Sequence, residues 1–73
     1  MNNEISRLVG ARLEALRKEH GVTLASAAVM AGVCVRTYRK FERGEGIICV
    51  DHVLPLLRYY KMTMDQLLEG LLP

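Results

Sequence analysis

The sequence has little of what a secreted or membrane-spanning protein needs. Among 73 residues it has two cysteines and no tryptophan, and Cys34 and Cys49 are too few for a secreted disulfide scaffold. No apolar run approaches the roughly 18 residues that cross a bilayer. The N-terminus lacks the basic start and apolar stretch of a signal peptide. We therefore expect reduced thiols, a cytoplasmic location and no membrane partner.

Metal and catalytic sites have little support in the residue pattern. Cys49 and His52 stand three apart, and His20 and Cys34 could complete four zinc ligands, but structural zinc sites normally supply a close pair on both sides. Both histidines fall near predicted helix ends, where solvated or capping roles are commoner than catalytic ones. No nucleophile, base and orienting acid occur at a recognisable spacing. The sequence therefore predicts no metal, no cofactor and no enzymatic activity.

Length and composition predict one small folded domain over residues 1–73. Hydrophobic residues make up 51% of the chain and charged residues 25%, as in ordinary globular proteins. A domain of this size buries only about 60% of the surface that its unfolded chain exposes. It has no room for a deep cavity that would enclose a substrate, so a large enzyme is excluded.

The spacing of apolar residues predicts an all-α fold. Apolar residues recur at i, i+3 and i+4, and Gly21, Gly32 and Gly44 stand where the first three helices would end. Thr23 can cap the second helix, and the Thr63–Gln66 spacing is that of a capping box. The predicted helices cover residues 4–19, 24–31, 35–42, 51–60 and a short stretch after 63.

Pro55 leaves two alternatives for the fourth helix. Proline lacks an N–H and is comfortable only within about the first turn of a helix. Either the helix begins late, near Asp51 or His52, or it kinks. Residues 47–50 have β propensity and are the place where an all-α prediction could fail.

The third predicted helix carries the whole excess of positive charge. Residues 35–43 contain four cations, Arg36, Arg39, Lys40 and Arg43, against one Glu42, which gives +3, whereas the whole chain sums to +2. The four cations are spaced i, i+3, i+4 and i+7, so they share one helix face. Such a face can enter the major groove of B-DNA. The alternative is a solvated basic face with no partner.

At this point the sequence resembles the phage-repressor and Cro-type helix-turn-helix family, over residues 5–69 without a gap. The resemblance is carried by Leu13-x-x-Leu16-Arg17-Lys18-Glu19-x-Gly21-Val22-Thr23, Ala28-x-x-x-Gly32-Val33, Thr37-Tyr38-Arg39-Lys40-Phe41-Glu42-Arg43-Gly44, Leu54 and Thr63-Met64-Asp65-Gln66-Leu67-Leu68. It implies a compact lambda-repressor-like bundle of five helices. It also implies that helix 35–42 lies in the major groove of double-stranded DNA.

The resemblance assigns roles to individual residues. The predicted base-reading residues are Val35, Arg36, Thr37 and Lys40, and those toward phosphates are Thr23, Leu24, Arg39 and Arg43. Arg17 and Glu42 fall where the family pairs an arginine late in its first helix with a glutamate near the end of its recognition helix. We interpret that pair as structural, and the alternative is two unrelated surface charges.

Several positions depart from the family pattern. Leu24 replaces a glutamine that commonly contacts phosphate, which leaves only backbone N–H groups there. Cys34 replaces a Ser/Thr cap, and its thiol pKa could fall at the positive end of a helix, so redox control is a hypothesis. Lys61 stands where the family has glycine, which predicts an irregular end to the fourth helix.

Exposed apolar residues predict a homodimer. The candidates for its surface are Ile47, Ile48, Tyr59, Leu71 and Leu72. A two-fold dimer would place two recognition helices one DNA turn apart, about 34 Å, on a pseudo-palindromic site. The alternative is that Ile47 and Ile48 tuck under the fourth helix.

The sequence thus predicts a DNA-binding transcriptional regulator, a repressor or autoregulator that binds a palindromic operator as a dimer. The alternative function is a protein-interaction module, an antitoxin or adaptor, in which the uncharged Val29 and Met30 face binds a protein partner.

Overall fold

A computed structural model describes residues 3–45 and 50–70. In these two ranges the chain forms five α-helices and no strand, so the predicted all-α class is confirmed. The helices are α1 (Asn3–Glu19), α2 (Leu24–Ala31), α3 (Val35–Arg43), α4 (Val50–Tyr60) and α5 (Met64–Leu68). No helix in the described part of the chain is both long enough and apolar enough to cross a membrane.

Local capping fixes both ends of α2. The Thr23 hydroxyl accepts a hydrogen bond from the Ser26 N–H at 3.1 Å, which satisfies one free donor of the first turn. At the other end Gly32 takes a left-handed conformation, with φ 78°, and Val33 N–H donates to the Ala28 carbonyl at 3.0 Å. This closure reverses the chain within three residues, so α3 begins at once and packs against α2.

The fourth helix begins at Val50, one residue before the late start that the sequence offered near Asp51 or His52. Pro55 therefore lies inside it, at the sixth position. Because proline has no N–H, the Asp51 carbonyl accepts no hydrogen bond from that position. The predicted irregular end was wrong. Lys61 takes φ 58°, and Met62 N–H donates to the Leu57 carbonyl at 3.0 Å, as in the closure after Gly32.

The core lies where α1, α3, α4 and α5 meet, and its largest fully buried side chains are Leu13, Tyr38, Leu56 and Leu67. Small residues let α2 approach the neighbouring helices α3 and α4. Ala27, Ala28 and Ala31 are all buried at this contact. The predicted capping box of α5 is present, with Thr63 and Gln66 each bonding the other's backbone N–H.

Gly10 marks a close crossing that the sequence analysis did not identify. It lies inside α1, away from any helix end, and is buried. A Cβ atom at this position would lie 2.6 Å from the Glu42 carbonyl oxygen, well inside van der Waals contact. Only glycine therefore lets the backbone of α1 touch the last turn of α3. A Cβ atom at Gly44 would likewise be too close to the backbone of Arg7 on α1, at 2.6 Å from its Cα.

Candidate nucleic-acid interface

Helix α3 exposes a continuous cationic face. Arg36, Arg39, Lys40 and Arg43 are all exposed, and Val35 at the first position is 38% exposed. Thr37 is half-buried. The four cations and Val35 line a shallow groove of about 340 Å³ that runs along the helix. Three of the predicted base-reading residues, Val35, Arg36 and Lys40, are thus brought together in this groove, whereas Thr37 does not line it.

The opposite face of α3 is anchored in the core. Tyr38, Phe41 and Glu42 are 0%, 6% and 9% exposed. The Tyr38 and Phe41 rings pack edge to face, with centroids 6.2 Å apart. The buried face therefore fixes the position of α3 on the bundle, while the cationic face stays exposed.

His52 joins α4 to both helices of the turn. Its ring stacks on Phe41, with centroids 5.9 Å apart and planes 26° apart, and its Nδ1 lies 2.9 Å from the Ala31 carbonyl oxygen. A carbonyl accepts only, so Nδ1 carries the proton in this contact. Of the two roles expected for His52, the solvated one was wrong, because the ring is half-buried against a residue 11 positions away. The capping role fits, but the helix that His52 caps is α2, through the carbonyl of its last residue, Ala31.

Arg17 and Glu42 form a two-point ion pair between α1 and α3. Arg17 Nε donates to Glu42 Oε2 at 2.8 Å, and Nη2 donates to Oε1 at 3.3 Å. Arg17 Nη1 also donates to the Val22 carbonyl at 3.0 Å, just before α2. The hydrogen bond with Glu42 raises the pKa of Arg17. One guanidinium therefore ties together α1, α3 and the chain that enters α2.

Two buried tyrosines lie close to this pair. Tyr38 and Tyr60 are 0% and 4% exposed, and neither hydroxyl has a hydrogen-bond partner among the described residues. Burial raises the pKa of both tyrosines, and the negative charge of Glu42 raises each further. The interior beneath α3 is therefore a place where negative charge is costly unless an arginine neutralises it.

The start of α2 faces the arginines of α3. Leu24 is half-buried and packs against the core, so its side chain offers no polar contact. A second groove at this point is lined by Glu14, Arg17, Leu24, Arg39, Glu42 and Arg43. The first N–H groups of α2 and two exposed guanidinium groups thus border one groove. Of the predicted phosphate-contacting residues, Leu24, Arg39 and Arg43 line this groove together. Thr23 does not line it, and its hydroxyl serves as the cap of α2.

Cys34 precedes α3 with an exposed thiol. Its side chain makes no capping hydrogen bond to the backbone, but Sγ lies 3.2 Å from the Thr37 hydroxyl oxygen. That hydrogen bond with Thr37 is the main cause that lowers the pKa of the thiol. The thiol and the Thr37 hydroxyl therefore share one contact at the start of α3.

Most predicted dimer residues lie outside the described residues. These are Ile47, Ile48, Leu71 and Leu72, and Cys49 lies outside as well. Tyr59 is described and is 51% exposed on α4. Within residues 3–45 and 50–70, no group of three or more His, Cys, Asp or Glu side chains could hold a metal ion.

Two acidic residues in these grooves were missed by the sequence analysis. Glu45 lines the groove along α3 and Glu14 lines the groove beside α2. The position of Glu45 directly after the helix-ending Gly44 was visible in the sequence. The position of Glu14 depends on how α1 crosses α3, which no local pattern indicates.

Residues 8–70 match the family model described as a helix-turn-helix domain. Two archaeal proteins assigned as HTH-type transcriptional regulatory proteins match over 50 residues, one from Pyrococcus horikoshii at 32% identity and one from Pyrococcus furiosus at 34%. The match covers 68% of this chain but only 16% of either relative.

Two solved structures share the fold. The clp gene regulator ClgR from Corynebacterium glutamicum superposes with a TM-score of 0.81 at 22% identity, over 88% of this chain and 68% of that one. The DNA-binding domain of BldD superposes with a TM-score of 0.74 at 23% identity, over 92% of this chain and 97% of that one. At this level of identity the superpositions establish the arrangement of the helices.

Proposed function

The chain belongs to the helix-turn-helix domain family, and from that premise we propose that it is a sequence-specific DNA-binding transcriptional regulator of the phage-repressor and Cro type. The observation that carries the proposal is the exposed cationic face of α3, whose other face is fixed to the bundle by Phe41 and the Arg17–Glu42 pair. A rigid helix with an exposed cationic face fits the B-DNA major groove, where arginine and lysine donate to guanine O6 and N7.

Base recognition is assigned to the N-terminal and central part of α3. Arg36 and Lys40 donate to base edges, while Val35 and the Thr37 methyl group supply apolar contact with thymine methyl groups. Because Thr37 shares a hydrogen bond with Cys34, its hydroxyl is held toward the start of the helix and its methyl is left for the base.

Phosphate contact is assigned to the groove between α2 and α3. Arg39 and Arg43 donate to phosphate oxygens there, and the backbone N–H groups at Thr23 and Leu24 supply the partial positive charge of a helix N-terminus. These contacts fix the register of α3 on the duplex without reading sequence.

We further propose that residues 1–73 act as one DNA-binding unit that pairs with a second copy on a palindromic operator. The proposed dimer surface includes Ile47, Ile48, Tyr59, Leu71 and Leu72. Two copies related by a two-fold axis would match two half-sites about 34 Å apart. The proposed output is repression or autoregulation by occupation of such an operator.

The deciding experiment is selection of DNA from a random duplex pool by the purified chain. The expected result is a pair of inverted half-sites, and the spacing between their centres reports the dimer directly. Recovery of single half-sites would remove the dimer from the proposal. Equal affinity for selected and scrambled duplexes at physiological salt would remove sequence-specific recognition altogether.

One observation favours a second candidate function. Val29 on α2 is 78% exposed, and α2 carries no charged residue, which suits an antitoxin or adaptor that binds a protein through this face. A stoichiometric partner that protects Val29 and Met30 from hydrogen exchange, together with weak DNA binding, would favour this candidate.

A further inference from the structure

We propose that Glu14 and Glu45 restrict non-specific DNA binding by placing one solvent-accessible carboxylate in each of the two grooves beside α3. The inference rests on the proposed function, since it concerns how the DNA-facing surface discriminates between duplexes. Unlike the residues assigned to base and phosphate contacts, Glu14 and Glu45 would repel DNA.

Glu45 lies in the groove along α3. The other residues that line this groove are Val35 and the four cations of the helix. Glu45 is exposed and directly follows Gly44, whose left-handed turn ends α3. A carboxylate at this point meets any phosphate backbone that lies along the cationic face rather than across it.

Glu14 lies in the groove beside the start of α2, which Arg39 and Arg43 also line. Glu42 lines this groove as well, but only 6% of its side chain is exposed and Arg17 neutralises it at 2.8 Å. Glu14 has 45% of its side chain exposed and pairs at 3.4 Å with Lys18, which is 65% exposed. Because an ion pair this exposed to water is weak, the Glu14 carboxylate still repels a phosphate that enters the groove.

The positions of the two residues explain why a carboxylate here affects discrimination more than affinity for the correct site. Non-specific binding depends almost wholly on phosphate contacts, which tolerate many orientations of the protein. A carboxylate repels a phosphate that approaches it, so it weakens those complexes in which the protein is wrongly oriented on the duplex. In the correctly oriented complex the base contacts can hold the phosphates farther from the carboxylates. Glu45 and Glu14 line two different grooves beside α3, so they penalise orientations that bring a phosphate backbone close to either carboxylate.

The test compares Glu14→Gln and Glu45→Gln with Glu19→Gln and Glu69→Gln, which remove one exposed carboxylate outside both grooves. Affinity is measured by fluorescence anisotropy for a random-sequence duplex and for the pool-selected duplex, from about 50 to about 200 mM salt. Circular dichroism melting of each variant verifies the fold.

For Glu14→Gln and Glu45→Gln we expect the random duplex to bind about 3- to 10-fold more tightly at low salt, with a steeper dependence on salt. For Glu45→Gln, affinity for the selected duplex should change by about twofold or less. For Glu14→Gln it should rise too, because the proposed phosphate contacts use the same groove, but by less than affinity for the random duplex. In the two control variants both affinities should change by about twofold or less. The specificity ratio therefore falls only in the groove variants.

Two results would overturn the inference while leaving the proposed function intact. One is a gain for the random duplex that is no larger than in the controls. The other is a loss of affinity for the selected duplex alone, which would mean that the carboxylate accepts a hydrogen bond from a cytosine amino group. If the unmodified chain binds neither duplex, the proposed function fails, and the inference fails with it.

Discussion

The guanidinium of Arg17 and the carboxylate of Glu42 join α1 to α3 across 25 positions of sequence, with both side chains almost fully buried. A pair this buried offsets its own desolvation only while both charges and their hydrogen bonds are present. Because the pair lies under the cationic face, it fixes that face relative to the bundle.

Removal of either partner should therefore be far more damaging than removal of both. We expect Arg17→Met to lower the free energy of unfolding by about 3 kcal/mol, since it leaves Glu42 buried and unpaired. The double replacement Arg17→Met with Glu42→Leu should recover most of this loss. Urea denaturation measures each value.

The matched control for this prediction is Lys18→Met. Lys18 pairs with Glu14 at 3.4 Å with both side chains exposed, so its loss should cost about 0.5 kcal/mol or less. If Arg17→Met costs no more than Lys18→Met, the pair does not anchor α3.

Gly10 provides a second test of how α3 is held. Alanine is a better helix former than glycine by about 1 kcal/mol, yet we expect Gly10→Ala to lower stability by about 1–3 kcal/mol because its Cβ would meet the Glu42 carbonyl oxygen at 2.6 Å. The comparison is Gly21→Ala, which has nothing within 4 Å of the new Cβ and only the strain of φ +68°. Chemical shifts of α3 amides should move in Gly10→Ala and not in Gly21→Ala.

The sequence predicts those features of the fold that depend on residues close together in the chain. The ends of α2 and α5 follow from Thr23, Gly32 and the Thr63 capping box, which act within a few residues of themselves. The charge on α3 and its face follow equally from helical spacing. Gly10 could not be interpreted in this way, because its role is set by the backbone of α3 more than 30 positions away.

In the candidate site, too, features set by nearby residues were predicted and features set by distant residues were not. The four cations of α3 were found from spacing, and the Arg17–Glu42 pair came only from resemblance to a family, since nothing local links two charges 25 positions apart. The partners of His52, Phe41 and Ala31, belong to other helices, so the sequence did not indicate that its ring is half-buried or that it caps α2. Residues that act through tertiary contacts were the ones missed.

The buried tyrosines predict a fall in stability at alkaline pH. Burial raises the pKa of Tyr38 and Tyr60 above their ordinary value of 10.0. Above about pH 10 the unfolded chain loses these protons more readily than the folded chain, so stability falls as pH rises, by at most about 1.4 kcal/mol per pH unit for each tyrosine. Below that pH the contribution is constant.

Urea denaturation at several pH values from about 8 to about 11 measures this slope. Tyr38→Phe and Tyr60→Phe should each reduce it. At pH 7 the Tyr60→Phe variant should be as stable as the unmodified chain or slightly more stable, since its hydroxyl is buried without a partner. An unchanged alkaline slope in both buried variants would contradict the prediction.

The thiol of Cys34 should react at a lower pH than a free cysteine. Its pKa is lowered, mainly by the hydrogen bond with Thr37, and the thiolate is the reactive form. In a Cys49→Ser background, the rate of iodoacetamide alkylation should therefore reach half its maximum below the midpoint of a model thiol, and Thr37→Val should move it upward. If alkylated protein binds the selected duplex as well as untreated protein, redox control through Cys34 is excluded.

Replacement of Arg36 and of Arg43 by alanine should change DNA affinity in different ways. In the proposed function Arg36 donates to a base edge, so for Arg36→Ala we expect a loss of about 1–3 kcal/mol on the selected duplex and little on a scrambled one. Arg43 is proposed to contact phosphate, so for Arg43→Ala affinity for both duplexes should fall alike, and the slope of log K against log salt should decrease by about 0.9. Arg58→Ala on α4, an exposed cation outside both grooves, is the control and should change neither quantity. An equal loss on both duplexes for Arg36→Ala would mean that Arg36 contacts phosphate, and sequence recognition would then depend on Val35, Thr37 and Lys40 alone.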